Sequence, residues 1–445
     1  MTKNSEKTGL CFFPAFDWAI SASHPEREER LLYTYDQLEE EGVFDLENIV
    51  EYNPVPVDPV HVERTHILVP DLKSNITPSH EVAVGGVIAL ADALMKGEIK
   101  NAFGLIRPPG HHAMKVVYGN RGFCNVNNEA ILVDYLRQQY GIKKIAIVDT
   151  DCHHGDGTQD VYWHDPDVLC ISIHQDGRTL YPGTGFIEDA GGPTAYGTVL
   201  NFPLPPGTGE EGFLMTLEEG ILPILEDFKP DIIINSAGQD NHYTDPLTNM
   251  KFSAQGYAKL TEMLKPHIAV LEGGYSIEGA LPYVNLGILL ALAGIDYSFV
   301  KEPDYSPAKV SQPAEHTSYI RQVIGEVHDL WKNRESLAKK NFSPEGDYFI
   351  RGKKVFYDTD FITDIQKESV KNCPNCSGYL LIDSVCRERG YHAFSVVIPF
   401  SACPHCQREG QEIYQQKSRK KTFDYVYLQD QSNNITSKTQ GGRFE

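Results

Sequence analysis

Residues 145–156 read IAIVDTDCHHGD, and they decide the fold. Ile145 to Asp149 is a short apolar run that ends in an acid. Such a run, without polar alternation, marks a strand buried on both faces. The crowd of Asp, His and Gly directly after it is what an open α/β sheet carries at the carboxyl ends of its strands. The pattern recurs outward in both directions. Ala102–Ile106 is followed by the polar Arg107–Ala113, Asp231–Ala237 by Asp240–Leu247, and Ile268–Glu272 by Glu272–Tyr275, while Val168–His174 is a fifth strand candidate. Between them lie helical patterns. Thr77-Pro78 is an N-cap and first position, Val84, Val87, Ile88, Ala91 and Leu94 recur at helical spacing, and Gly97 ends the run. Asn128 to Tyr140 closes at Gly141, and Glu210 to Phe228 is helical with Pro223 as a kink. Strands alternating with helices predict an α/β class, a mostly parallel sheet with helices on both faces.

The chain has 445 residues, enough for one large domain and a smaller one. Its formal charge of −21 makes it a poor partner for nucleic acid, whose binding rests on Lys and Arg neutralising phosphates. No apolar run is long enough to cross a bilayer, and MTKNSEKTGL lacks the apolar core of a secretory signal, so the expected compartment is cytoplasmic.

The polar loops hold the chemistry. Asp151 and His153 stand two apart at a strand end, so both reach one metal ion. A lone D-x-H is usually a capped loop, but Asp240 in SAGQDNHYTDPL supplies a third ligand. Three protein ligands with an open position describe a catalytic zinc. The pair His111 and His112 follows a Pro-Pro-Gly turn, and Asp149 and Asp156 are available to orient them. In Glu272-Gly-Gly-Tyr275, the glycines allow close backbone approach at Gly273, and the phenol of Tyr275 can donate to an oxyanion.

Together RPPGHHA, GFCNVNNEA, DTDCHHGDGTQ, SIHQDGRTLYPGTG, NSAGQDNHYTDPL and EGGY, with HPEREERL upstream, occur in the order found in histone deacetylases and acetylpolyamine amidohydrolases. Roughly residues 10–300 resemble that family. The resemblance implies the arginase/deacetylase fold and a catalytic Zn2+ on Asp151, His153 and Asp240. It pairs His111 with Asp149 and His112 with Asp156, and makes Tyr275 the oxyanion donor. Phe123 and Tyr181 would line a narrow tunnel for an alkyl stem, Arg30 would lie behind the site, and K+ would sit near Asp149 and Ser172 with Asp151 and His153 carbonyls. The family's rim aspartate has no clean match, Asp71 being the weak candidate. The implied enzyme is a zinc-dependent deacylase, a hydrolase of linear amide C–N bonds. His112 serves as general base and then acid, and His111 stabilises charge.

The substrate is an acyl-lysine protein or peptide, with acetylated polyamine as the alternative. Polyamine selectivity needs an acid near the tunnel mouth. Leu247 follows Asp245-Pro246, where polyamine-selective members can carry one, and this favours peptides. A two-manganese ureohydrolase would need additional ligands. A non-catalytic acyl-lysine reader or scaffold would be expected to lack a His, a ligand or Tyr275. A homo-oligomer is compatible with the sequence, and a membrane partner is not expected.

Near the C-terminus, Cys373-Pro-Asn-Cys376 and Cys403-Pro-His-Cys406 form two C-x-x-C pairs, the pattern of a structural Zn2+. The YLLIDSV and FSVVIPF runs between them read as strands of a zinc-ribbon-like unit. The expected organisation is a catalytic domain over 1–301, linker and helix over 302–340, a β-rich ribbon-like domain over 341–428 and a polar, frayed tail over 429–445. Residues 348–362 read as strand–turn–strand about Arg351-Gly352, and Thr317 to Lys340 as a helix.

Overall fold

The computed structural model describes residues 6 to 441. Eight strands make one sheet: β1 (Thr8–Phe13), β2 (Ile49–Glu51), β3 (Asn101–Ile106), β4 (Ile145–Asp149), β5 (Val168–Gln175), β6 (Val199–Leu204), β7 (Ile232–Ala237) and β8 (Ile268–Leu271). Their order is β2-β1-β3-β8-β7-β4-β5-β6, and every neighbouring pair is parallel. Successive strand side chains leave on opposite faces. Ala146 and Val148 accordingly join one hydrophobic cluster, and Ile145 and Ile147 another. The helices Pro78–Met95 and Asn128–Tyr140 cover the second face, while Ala254–Leu264, Leu281–Ala293 and Ala314–Asn341 cover the first.

The five strands expected from the sequence occur within a residue of their expected ends. Three strands lie outside that reading: β1, a regular run of six residues, and two that are short or interrupted. β2 spans three residues, and β6 contains Pro203, which a strand tolerates here because β6 lies at the sheet edge. The expected long helix over 210–228 is Glu210–Met215 and Leu222–Phe228 joined by a π turn over Thr216–Ile221. Pro223 lacks an N–H and its ring crowds the carbonyl four residues back, and the wider π turn accommodates both.

A second sheet follows: β9 (Tyr348–Tyr357), β10 (Ile362–Lys371), β11 (Leu380–Cys386), β12 (Tyr391–Ile398), β13 (Tyr425–Asp430) and β14 (Ile435–Gln440), in that spatial order. All pairs are antiparallel except β12–β13, which the helix Pro404–Ser418 connects as a crossover. Two expectations are corrected. Arg351-Gly352 is not a turn, because β9 runs straight through it and pairs with Lys367 and Glu368. Gly352 sits in open space within an extended strand, so nothing there demands its flexibility. The chain reverses instead at Asp358–Phe361, where Phe361 has φ 56°. Nor are residues 429–441 of the expected tail frayed, while 442–445 lie outside the described residues. Residues 429 and 430 end β13, and β14 closes the sheet through Gln440, its polar residues facing outward from an edge strand.

The second sheet shares a core with the first unit. Ile67, Val69, Met114, Val116 and Tyr118 pack with Val355, Tyr357, Ile362 and Ile382. Polar bonds tie the two together. The hydroxyl of Tyr357 donates to the Val116 carbonyl at 2.5 Å and that of Tyr427 to the Pro70 carbonyl at 2.8 Å, while Lys353 pairs with Asp160. Among the described residues no helix is long and apolar enough to cross a membrane.

Candidate active site

Four loops converge, and they leave the carboxyl ends of β3, β8, β7 and β4, the four central neighbours in the sheet. Sheet order alone therefore brings together side chains more than 150 positions apart. The loop after β4 carries Asp151 and His153. His153 Nδ1 lies 3.2 Å from Asp151 Oδ1 and 2.8 Å from Asp240 Oδ2, the latter delivered by the loop after β7. One ligand atom from each residue falls within 4.8 Å of the others. Donors about 2.0–2.2 Å from a tetrahedral ion sit roughly 3.3 Å apart, so the set fits a divalent metal. Electrostatics agree. Both carboxylates are fully buried and face one imidazole nitrogen, which is tenable only with a cation among them. Backbone N–H groups fix their remaining oxygens. Cys152 donates to Asp240 at 2.7 Å, and Gly273 donates to Asp151 at 2.7 Å.

The histidine pair stands beside this set. His111 Nδ1 is 3.0 Å from Asp149 Oδ2, and His112 Nδ1 is 2.7 Å from Asp156 Oδ1. These are the pairings the family resemblance implies. Their environments differ. Burial and the neighbouring His111 push His112 down to about 4, so its ring is neutral and free to accept a proton at neutral pH. Burial also opposes charge on His111, but Asp151 and Asp149 outweigh it and hold His111 well above the ordinary imidazole range. The turn carrying both is fixed by Glu272, which accepts from Gly110 and His111 N–H at 2.7 and 3.0 Å.

A cavity of about 260 Å³ opens over these groups, lined by His111, His112, His153, Phe123, Tyr181, Leu247, Gly273 and Tyr275. The Tyr181 ring lies 5.2 Å from that of His112, and the Phe123 ring 5.7 Å from that of Tyr275. Tyr275 is buried, which raises its phenol well above the usual range and keeps it a neutral donor. Arg30 lies behind it as expected. Its guanidinium is 5.0 Å from the Tyr275 ring, and its Nε donates to the Gly274 carbonyl at 2.7 Å.

Three residues that shape the cavity carried no local signal in the sequence. Asp245 accepts from Leu247 N–H and Tyr275 N–H at 2.9 and 2.8 Å, coupling the loops after β7 and β8. Arg121 pairs with Asp156 through Oδ2 and leaves Oδ1 to His112, so it fixes the carboxylate that orients that ring. Asp358, from the turn between β9 and β10, lines the same cavity. Asp71 is elsewhere. It caps the turn Leu72–Ser74 and lines a separate cleft with Tyr427 and Lys438, which excludes it from the mouth of this cavity. Its neighbourhood in sequence gave no hint of that distance.

Near the C-terminus, the four thiols of Cys373, Cys376, Cys403 and Cys406 gather in one cluster. The Cys373–Cys403 sulfurs are 3.9 Å apart and the Cys376–Cys406 sulfurs 3.6 Å, close to the ~3.8 Å expected around a tetrahedral ion with ~2.3 Å bonds. Cys386 lies apart in the hydrophobic core.

Comparison with known proteins converges on one family. Residues 71–285 match the histone deacetylase domain model. A probable deacetylase of Archaeoglobus fulgidus is 46% identical over 361 residues, covering 75% of this chain and 94% of that protein. A histone deacetylase-like amidohydrolase of Pseudomonas aeruginosa is 35% identical over 262 residues, covering 56% and 68%. The crystal structure of the HDA15 HD domain superposes with a TM-score of 0.63 at 25% identity, covering 75% of this chain and 98% of that one. With the all-parallel sheet, the buried Asp-His-Asp set and these likenesses agreeing, the chain belongs to the histone deacetylase and acetylpolyamine amidohydrolase family.

Proposed function

We propose that the chain is a zinc-dependent amidohydrolase that removes acetyl or related acyl groups from lysine side chains of proteins or peptides. One observation carries this reading. Two buried histidines, each backed by its own carboxylate, stand beside a three-ligand metal set at the base of a cavity walled by Phe123 and Tyr181. Asp151, His153 and Asp240 would hold a divalent ion, which when bound would supply Lewis acidity toward the amide carbonyl and lower the pKa of water. Neutral His112 accepts the proton of the attacking water and returns it to the leaving amine. Asp156 orients His112 and supports its transient charge, as Asp149 does for His111. Tyr275 donates its hydroxyl to the developing oxyanion. Phe123 and Tyr181 offer apolar faces to an alkyl stem, each buried methylene contributing ~0.8 kcal/mol. Leu247 and the Gly273 backbone complete the wall. K+ near Asp149 and Ser172 would steady the loop after β4, with the Asp151 and His153 carbonyls as further ligands. A second, structural Zn2+ belongs on the four C-terminal thiolates.

Leu247 at the cavity wall supports peptides over polyamines in this loop, since it offers no countercharge to a second ammonium group. The full set of histidines, ligands and Tyr275 argues against a non-catalytic reader. The test is a panel of acyl-lysine peptides and acetylpolyamines, with metal analysed on the same sample. The expected result is turnover of acetyl-lysine peptides and about two zinc ions per chain, one removed readily by chelator and one retained. A preparation with its full metal complement that hydrolyses neither class would contradict the proposal.

A further inference from the structure

The turn between β9 and β10 enters the catalytic cavity, and it does so with a carboxylate. Asp358 Oδ1 accepts from the Gly122 N–H at 3.0 Å and from the Tyr181 hydroxyl at 2.9 Å. Asp358 thereby holds both cavity walls at once. The segment it grips is under strain. Gly122 has φ 51° and Phe123 φ 71°, the latter a left-handed conformation rare for an aromatic residue. A Cβ at Gly122 would lie 2.4 Å from the His112 ring. Strained backbone of this kind persists only where surrounding contacts over-determine it. The rest of the turn adds to the grip. Asp360 accepts from the Asn120 N–H at 2.7 Å, the Thr359 hydroxyl donates to Asn120 Oδ1 at 2.7 Å, and the Phe356 carbonyl accepts from Arg121.

A purely structural role leaves part of Asp358 unused. Both of its bonds fall on Oδ1, and Oδ2 has no hydrogen-bond partner among the described residues. The carboxylate lines the same cavity as His112 and Tyr275 and is bonded to the Tyr181 phenol. The neighbouring Arg121 spends its hydrogen bonds on Asp156 and the Phe356 carbonyl, not on Asp358.

We propose that Asp358 is a specificity-determining residue of the catalytic cavity, supplied by the C-terminal module. Its Oδ2 receives an N–H donor that a substrate carries one alkyl stem away from the scissile amide. The inference deepens the amidohydrolase reading and rests on it. The donor chemistry is shared by the backbone amides of a peptide and the second ammonium of a polyamine. An anionic group at that point is repelled.

The experiment uses the full-length metal-loaded protein and its Asp358→Asn variant. Three acetamides are compared: an acetyl-lysine peptide, acetylspermidine, and N-butylacetamide, which has the stem but neither donor. The expected result is a KM increase of about tenfold or more for the peptide, the polyamine or both, with kcat changed by less than about threefold. Asparagine keeps an Oδ1 acceptor for the Gly122 N–H and the Tyr181 hydroxyl, so the readout is the ratio of kcat/KM for the peptide or polyamine to that for N-butylacetamide, expected to fall about tenfold. A loss confined to acetylspermidine identifies the donor as a cation, and a loss confined to the peptide identifies it as backbone amides. An equal loss on all three substrates, or no loss on any, overturns the proposal. A wild-type protein that cleaves none of the three removes the amidohydrolase reading and this inference with it.

Discussion

His112→Ala is expected to lower kcat by about 10²–10⁴ while leaving metal content and melting temperature near those of the parent. The size follows from what the ring does. It lies within the cavity, its Nδ1 is held 2.7 Å from Asp156, and its depressed affinity for protons leaves it neutral before the reaction. Against burial, Asp151 and Asp149 raise His111 above the ordinary imidazole range, which suits it to stabilising charge more than to accepting a proton. His111→Ala is therefore expected to be the milder lesion. Tyr275→Phe removes one oxyanion donor and is expected to cost about 10²–10³ in kcat with little change in KM. Steady-state kinetics on one acetyl-lysine peptide checks all three. A His112→Ala protein within about tenfold of the parent would show that proton transfer runs elsewhere.

The site was legible in the sequence where two independent patterns met. Asp149, Asp151, His153, Asp240 and Tyr275 each follow an apolar run long enough to read as a buried strand. A parallel sheet collects such strand ends, so convergence could be argued before any geometry was known. The unread parts obey no local pattern. Asp245, Arg121 and Asp358 are ordinary polar loop residues, and their role comes from partners such as Tyr275, Asp156 and Tyr181. The misplaced turn has the same cause. Gly352 carries the stronger local turn signal, whereas the real reversal at Asp358–Phe361 is held from outside by Asn120 and Gly122. Tertiary contacts overrode the local preference of the chain.

Loss of the four-thiolate cluster is expected to reach the active site. Cys376→Ser combined with Cys406→Ser removes two of the four sulfurs, and the tightly held ion should go with them. The cluster joins the loop after β10 to the first turn of the helix Pro404–Ser418, whose packing closes one end of the second sheet. That sheet has a core of its own, so the loss should fall well short of the ~10–16 kcal/mol that metal contributes to a zinc-finger peptide. It should still amount to several kcal/mol, read as a clear drop in melting temperature. The effect cannot stay local. Val355 and Tyr357 on β9 pack on Val116 and Tyr118, and one residue beyond Tyr357 the chain supplies the carboxylate that grips Gly122 and Tyr181. A loosened β9–β10 hairpin therefore releases both walls of the cavity. The double variant is expected to bind one metal ion per chain, melt at lower temperature and lose most of its kcat/KM. Deleting residues 342–445 should be worse, because it uncovers Ile67, Val116 and Tyr118 and leaves Arg121 without its Phe356 carbonyl. Metal analysis, thermal unfolding and peptide turnover on the same samples separate the possibilities. Full activity and an unchanged melting temperature with one ion lost would show the cluster to be energetically isolated from the cavity, contrary to the shared core that joins them.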